Sequence, residues 1–207
     1  IPYADNGLTV IPDKVTDEQA LFNGDILSTG YWAAKIGEIK PADTVAVIGA
    51  GPTGLCTMMC ARLYTPAKII AIDTDEYRLA LAKEKGLADI TLIAGRDKVE
   101  EEVLRASGGR GADTVFEVAG GNDTFQTAWK IARPNAVVVI VAMYEEPQML
   151  PLPDMYGKNL VFKTGGVDGS YCQEIMDLTA CGKLDAGFLI THRCGLDEIM
   201  DAYDIFE

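Results

Sequence analysis

The rhythm of the chain between residues 43 and 165 constrains its fold more than any other feature. Short apolar runs alternate there with segments of helical period. DTVAVIG (43–49) is an apolar run closed by glycine, which reads as a strand buried on both faces. PTGLCTMMCARLY (52–64) follows as a helix with proline in its first turn, where a missing N–H removes no hydrogen bond. KIIAID (68–73), DITLI (89–93), DTVFEVAG (113–120), NAVVVIVA (135–142) and NLVFKTG (159–165) read as five further strands. DEYRLALAKEKG (75–86), DKVEEEVLRASGG (97–109) and DTFQTAWKIA (123–132) read as helices between them. The proline-rich stretch MYEEPQMLPLPDMYGK (143–158) carries no helical pattern. Strand and helix in this alternation make right-handed β-α-β units, hence a parallel sheet with helices on both faces. The predicted fold class is α/β, a Rossmann-type doubly wound sheet of six parallel strands.

The flanks read differently. Residues 1–16 are expected to be loop, with Pro2, Asn6, Gly7 and Pro12 as breakers. Thr16 followed by Glu18 and Gln19 resembles a capping box. Two helical pieces then meet at Asn23-Gly24, and Asp25 stands where it would cap the second. After Gly166 a helix is expected over 171–184, a short extended run over 186–192 and a helix over 196–207. The chain opens without Met and ends inside a helical pattern, so it is expected to be a piece of a longer protein.

Gly49, Gly51 and Gly54 have the spacing G-x-G-x-x-G, directly after a strand and opening a helix. Gly49 permits the tight turn, Gly51 lets a pyrophosphate approach the backbone, and Gly54 lets the helix pack on the strand. The free amides at the helix start then face the anion. Asp73 ends the second strand, 19 residues after Gly54. An acid there accepts hydrogen bonds from an adenosine ribose diol and repels a 2′-phosphate, which favours NAD over NADP. The other reading of Asp73 is a cap for the helix over 75–86, which Asp75 could equally supply. Arg78 is near enough to reach the ribose or phosphate side. A methyltransferase using S-adenosylmethionine would also place glycines after its first strand and an acid after its second; the sixth strand and the STGY segment (28–31) argue against it.

Composition removes other classes. The net charge of −13 leaves no broad basic surface for nucleic acid. No apolar run approaches a membrane span. Cys56, Cys60, Cys172, Cys181 and Cys194 are odd in number and form no C-x-x-C, which suits reduced thiols in a cytoplasm. Cys56 and Cys60, one helical turn apart, read as core packing. His192, the lone histidine, reads as structural support.

GDILSTGYWAA, ADTVAVIGAGPTGL, IIAIDTDEYRLALAKEKG and RPNAVVVIVAMY together resemble the zinc-dependent alcohol dehydrogenases of the medium-chain dehydrogenase/reductase family, with the nearest likeness to bacterial members acting on secondary alcohols, diols or polyols. The resemblance covers essentially the whole chain. It implies that Gly49, Gly51, Pro52, Thr53 and Gly54 form the pyrophosphate turn. Asp73 would be the ribose acid, Arg78 its basic neighbour, and Thr29 a residue packing at the nicotinamide. Val118, Ala119, Val141, Ala142 and Thr164 would be strand-end residues lining the cleft. Asp25 matches a third zinc ligand, Cys in some members and Asp in others. The family's GroES-like catalytic domain, which supplies the other zinc ligands, precedes the point where this chain opens. The implied organisation is a remnant of the catalytic domain over 1–27, an NAD-binding domain over 28–166 and helices returning towards the catalytic domain over 167–207.

The implied activity is hydride transfer between a secondary alcohol or diol and NAD, with zinc in the full-length enzyme as Lewis acid. The isolated chain, with one zinc-ligand candidate where about three are needed, is expected to be inactive. A competing reading is a cofactor-binding and dimerisation module without catalysis. Family members pair through the edge of the sixth strand, so a homodimer or tetramer through NLVFKTG is expected.

Overall fold

The computed structural model describes residues 4–167 and 169–206. The expected loop at residues 1–3, with Pro2, and the last residue of the expected final helix, Glu207, lie outside the described residues. The elements in chain order are α1 (Ala4–Gly7), α2 (Asp17–Ala20), a 3₁₀ turn (Leu21–Gly24), α3 (Ile26–Ile36), β1 (Thr44–Ile48), α4 (Pro52–Arg62), β2 (Lys68–Asp73), α5 (Glu76–Glu84), β3 (Ile90–Ile93), α6 (Val99–Ala106), β4 (Ala112–Glu117), α7 (Thr124–Ile131), β5 (Ala132–Ile140), α8 (Leu152–Met155), β6 (Val161–Thr164), α9 (Cys172–Ala180) and α10 (Ile199–Phe206).

The six strands form one sheet in the order β3-β2-β1-β4-β5-β6, and every pairing is parallel. Strand order reverses between β1 and β4, which opens a crevice at their carboxyl ends. Alternate residues of each strand go to opposite faces, so the sheet has two cores. Val45, Val47, Ile69, Ala71, Phe116 and Val139 pack with residues of α3, α4, α5 and α9. Ala46, Ile48, Ile70, Ile72, Val115 and Val138 pack with residues of α6 and α7. Helix α4 is buried almost all round from Gly54 to Ala61, and α3 lies directly against it. A β-carbon on Gly30 would come within 2.7 Å of the α4 backbone.

The Thr16–Gln19 capping box forms as expected, and Asp75 caps α5 through the amides of Tyr77 and Arg78. Four local expectations are corrected. Residues 4–7 make a helical turn rather than loop, and Leu152–Met155 make one inside the proline-rich stretch, with Pro151 and Pro153 at its start. Gly187–Leu189 is a 3₁₀ turn rather than an extended run. Asp25 sits at the N-cap position of α3, but its side chain makes no capping hydrogen bond; at φ −143° and ψ −90° the residue lacks the extended geometry that aims a cap inward. Among the described residues, no helix is long and apolar enough to cross a membrane.

Candidate functional site

The turn after β1 shows what each glycine does. Gly49 has φ +103°, and a β-carbon on it would meet Ala119 N at 3.1 Å, so β1 and the loop after β4 approach closely there. A β-carbon on Gly54 would overlap the Gly49 carbonyl oxygen, which fixes how tightly α4 packs on its own turn. Gly51 differs. Its missing β-carbon faces open space, with only Arg78 Nη1 within 4 Å, at 3.8 Å. Gly51 is the N-cap of α4 and no side chain caps that helix. The first amides of α4 therefore point at an uncrowded opening, beside a guanidinium, at the positive end of the helix dipole.

Asp73 closes the turn from the side. Its Oδ2 accepts from Ala50 N at 2.6 Å and its Oδ1 from Asp75 N at 2.9 Å. Each carboxylate oxygen has room to accept one further hydrogen bond. Since Asp75 makes the helix cap, Asp73 is not needed for that task. Arg78 pairs with Asp75 at 3.5 Å and leans over Gly51. A cleft of about 560 Å³ opens at the carboxyl ends of β1, β2 and β3, lined by Ile72 and Thr74 on either side of Asp73 in the chain, by Ile48 and Ala94, and by Lys98, Glu100, Glu101 and Asp123. Sequence reading assigned nothing to Thr74 or Ala94; their place one residue past β2 and β3 was the available signal.

On the other side of the turn, a cleft of about 410 Å³ brings together Asp25, Thr29, Thr53, Val118, Ala119, Val141 and Ala142. These seven residues come from four separate segments of the chain. The remaining wall is Met143, Gly165, Gly166 and Val167. Thr164 lies elsewhere: it ends β6 opposite Ile140 and lines a separate apolar cavity of about 250 Å³ with Phe125, Tyr144 and Phe162. The chain after β6 enters the cleft one residue later, at Gly165, which packs against Trp32. Pro52 is exposed at the start of α4. His192 lies in a different groove, with Leu21, Phe22 and Arg193, and bonds to Thr191.

Cys56, Cys60, Tyr31 and Glu174 lie outside both clefts. Burial pushes the Cys56 thiol up to about 12, and Cys60 rises with it. Burial and the Glu174 carboxylate raise the Tyr31 phenol, while hydrogen bonds from Tyr31 and Lys35 hold Glu174 below the usual carboxylate range. Among the described residues, no group of three His, Cys, Asp or Glu side chains could hold a metal ion. Asp25 is a single carboxylate and does not fit a zinc centre by itself.

The architecture agrees with one family. The family model described as zinc-binding dehydrogenase matches residues 52–181. The chain belongs to the zinc-binding dehydrogenase family. It is 36% identical to an alcohol dehydrogenase of Cupriavidus necator, over all of this chain and 57% of that protein. It is 31% identical to an NADP-dependent isopropanol dehydrogenase of Thermoanaerobacter brockii, over 97% of this chain and 58% of the relative. The solved structure of an alcohol dehydrogenase from Thermus sp. ATN1 superimposes with a TM-score of 0.93 at 33% identity, covering this whole chain and 61% of that one. The chain thus spans less than two thirds of the length of these zinc-binding dehydrogenase relatives.

Proposed function

We propose that this chain is the NAD-binding portion of a zinc-dependent alcohol or polyol dehydrogenase, which moves hydride between a secondary alcohol or diol and NAD. The observation that carries the reading is the convergence of Asp25, Thr29, Thr53, Val118, Ala119, Val141 and Ala142 on one cleft beside the glycine turn. The open side of Gly51 and the uncapped start of α4 suit a pyrophosphate, with Pro52 and Thr53 in the same first turn and Arg78 alongside. Asp73 suits the adenosine ribose because Ala50 and Asp75 already hold its carboxylate in place. The groove beyond it, with Ile72, Thr74 and Ala94, suits the adenine. Thr29, Val141 and Ala142 would flank the nicotinamide, which supplies the hydride acceptor carbon when bound. Thr164 contributes to this arrangement only by leading the chain to Gly165.

Residues 28–166 form the cofactor domain in this reading, and 1–27 with 167–207 belong with the catalytic domain. The Arg193 guanidinium holds both oxygens of Glu18 at 2.9 Å, which ties the two flanks to one another. Asp25, exposed and uncapping at the mouth of the cleft, suits a zinc ligand in the full-length enzyme. The other ligands would have to come from outside the described residues, and the isolated chain is not expected to turn over.

The relative of Thermoanaerobacter brockii is NADP-dependent, so the preference for NAD rests on Asp73. The test is a parallel titration of the chain and of Asp73→Ser with NADH and NADPH. The parent should prefer NADH, and the variant should lose about tenfold in NADH affinity, roughly 1.4 kcal/mol, and most of its discrimination. Equal affinity of the parent for both cofactors would overturn the assignment of Asp73.

A further inference from the structure

One buried carboxylate stands at the cleft without touching it. Glu117, the last residue of β4, has no solvent exposure at all. Its Oε1 accepts from Ala119 N at 3.0 Å and from Gly120 N at 2.9 Å. Its main-chain carbonyl accepts from Val141 N at 2.8 Å and from Ala142 N at 3.1 Å. Four amides therefore converge on one residue, two from the loop after β4 and two from the loop after β5. Three of the four, at Ala119, Val141 and Ala142, belong to residues that line the 410 Å³ cleft.

The loop after β4 is under tight constraint. Gly120 has φ +69°, and a β-carbon there would lie 3.0 Å from the Met143 carbonyl oxygen. Across the crevice, Ala119 N and Val118 C both lie 3.1 Å from the missing β-carbon of Gly49. The position of Ala119 therefore sets how far the loop stands from the glycine turn. Glu117 Oε2 is buried and meets no protein donor in hydrogen-bonding geometry. The Tyr144 phenol lies beside it; burial and the neighbouring Glu117 side chain raise that phenol, and its hydroxyl also pairs with Thr124 Oγ1 at 3.0 Å. A strand end in a packed core needs no carboxylate, and a bare buried oxygen is unfavourable. The half of the side chain that is satisfied is the half that holds the loop.

We infer that Glu117 is a positioning residue for the cofactor cleft. Its carboxylate fixes the 118–120 loop at the distance from the glycine turn that admits the nicotinamide-riboside half of a dinucleotide. The inference rests on reading the cleft as a dinucleotide site. ADP reaches only the glycine turn and the Asp73 groove, so it reports on the other half.

The experiment compares Glu117→Gln with Glu117→Asp. The Gln amide oxygen keeps the reach and the acceptor; the Asp carboxylate is one methylene short. NADH and ADP affinities are measured for both variants and the parent, with amide exchange at Ala119 and Gly120 followed by NMR. Glu117→Asp should weaken NADH about tenfold and leave ADP within about threefold, with Glu117→Gln near the parent for both. Exchange at Ala119 and Gly120 should accelerate in Glu117→Asp, while that at Val138 in the strand interior does not. Equal behaviour of the two variants, or parallel loss of NADH and ADP, would overturn the inference. If the parent binds neither ligand, the reading of the cleft as a dinucleotide site fails. The exchange data then decide the positioning claim separately: unaltered exchange at Ala119 and Gly120 in Glu117→Asp would refute it.

Discussion

At the residue scale, Gly51 and Gly54 of one motif should respond to substitution in opposite ways. Ala at position 54 would force its β-carbon into the Gly49 carbonyl oxygen, a clash of backbone with backbone. Gly54→Ala is expected to lose about 3 kcal/mol of stability or to fail to fold. Gly51 sits at φ −66°, which any residue adopts, and its side faces open space. Gly51→Ala should stay within about 0.5 kcal/mol of the parent by urea denaturation, yet weaken NADH, because it fills ligand space rather than core. A Gly51→Ala variant as unstable as Gly54→Ala would contradict the division of roles. The steric roles of Gly49 and Gly54 were legible because the spacing encodes steric necessity. Glu117 was not legible: inside DTVFEVAG it is one polar letter in an apolar run, and only the fold shows which amides it receives. Asp25 was legible as important and wrongly expected to cap, since the type of residue says nothing of the φ and ψ that a cap requires.

Among the elements, burial and pairing decide how each helix is held. Helix α4 has polar and apolar residues on all sides and no clear amphipathic stripe, yet it is buried from Gly54 to Ala61 because α3 and the sheet enclose it. The glycine turn and Pro52 marked where it starts. Helix α7 runs directly into β5, which begins at Ala132 instead of 135. Lys158 Nζ donates to the carbonyls of Trp129, Lys130 and Ala132, so the helix end needs no separating loop. A lysine 26 residues from Ala132 gives no local signal of this. Helix α9 is fastened to α3 by Glu174, which accepts from Tyr31 OH at 2.6 Å and Lys35 Nζ at 2.9 Å. Both hydrogen bonds lower the Glu174 carboxyl below its ordinary 4.5. That contribution is fully present above about pH 4.5 and is lost as the pH falls through the lower folded value. Glu174 is half-exposed, so Glu174→Gln should cost on the order of 1 kcal/mol or less near neutrality. The gap in thermal midpoint between variant and parent should narrow on acidification below pH 4.5; a gap that widened there would contradict the assignment.

For the whole molecule, alternation alone was enough to give the parallel sheet, its six strands and both helical layers, because buried parallel strands are continuous apolar runs. What the pattern could not give was the path of the chain outside the sheet, where short helices form from tertiary contact. The sheet ends at β6, whose Val161 and Phe162 remain exposed at 47% and 36%. An open apolar edge of this kind favours pairing with a second copy. The chain should sediment as a dimer or tetramer, and Phe162→Lys should shift it to monomer without loss of fold; a parent that is monomeric at micromolar concentration would remove this expectation. The dinucleotide reading belongs to the crevice where strand order reverses. It is tested most directly by titrating the unmodified chain with NADH and following energy transfer from tryptophan. Trp32 packs against Gly165 in the cleft wall and is well placed to report. Saturable transfer, displaced by ADP and reproduced poorly with NADPH, is the predicted result. No transfer and no displacement at any accessible NADH concentration would contradict the account.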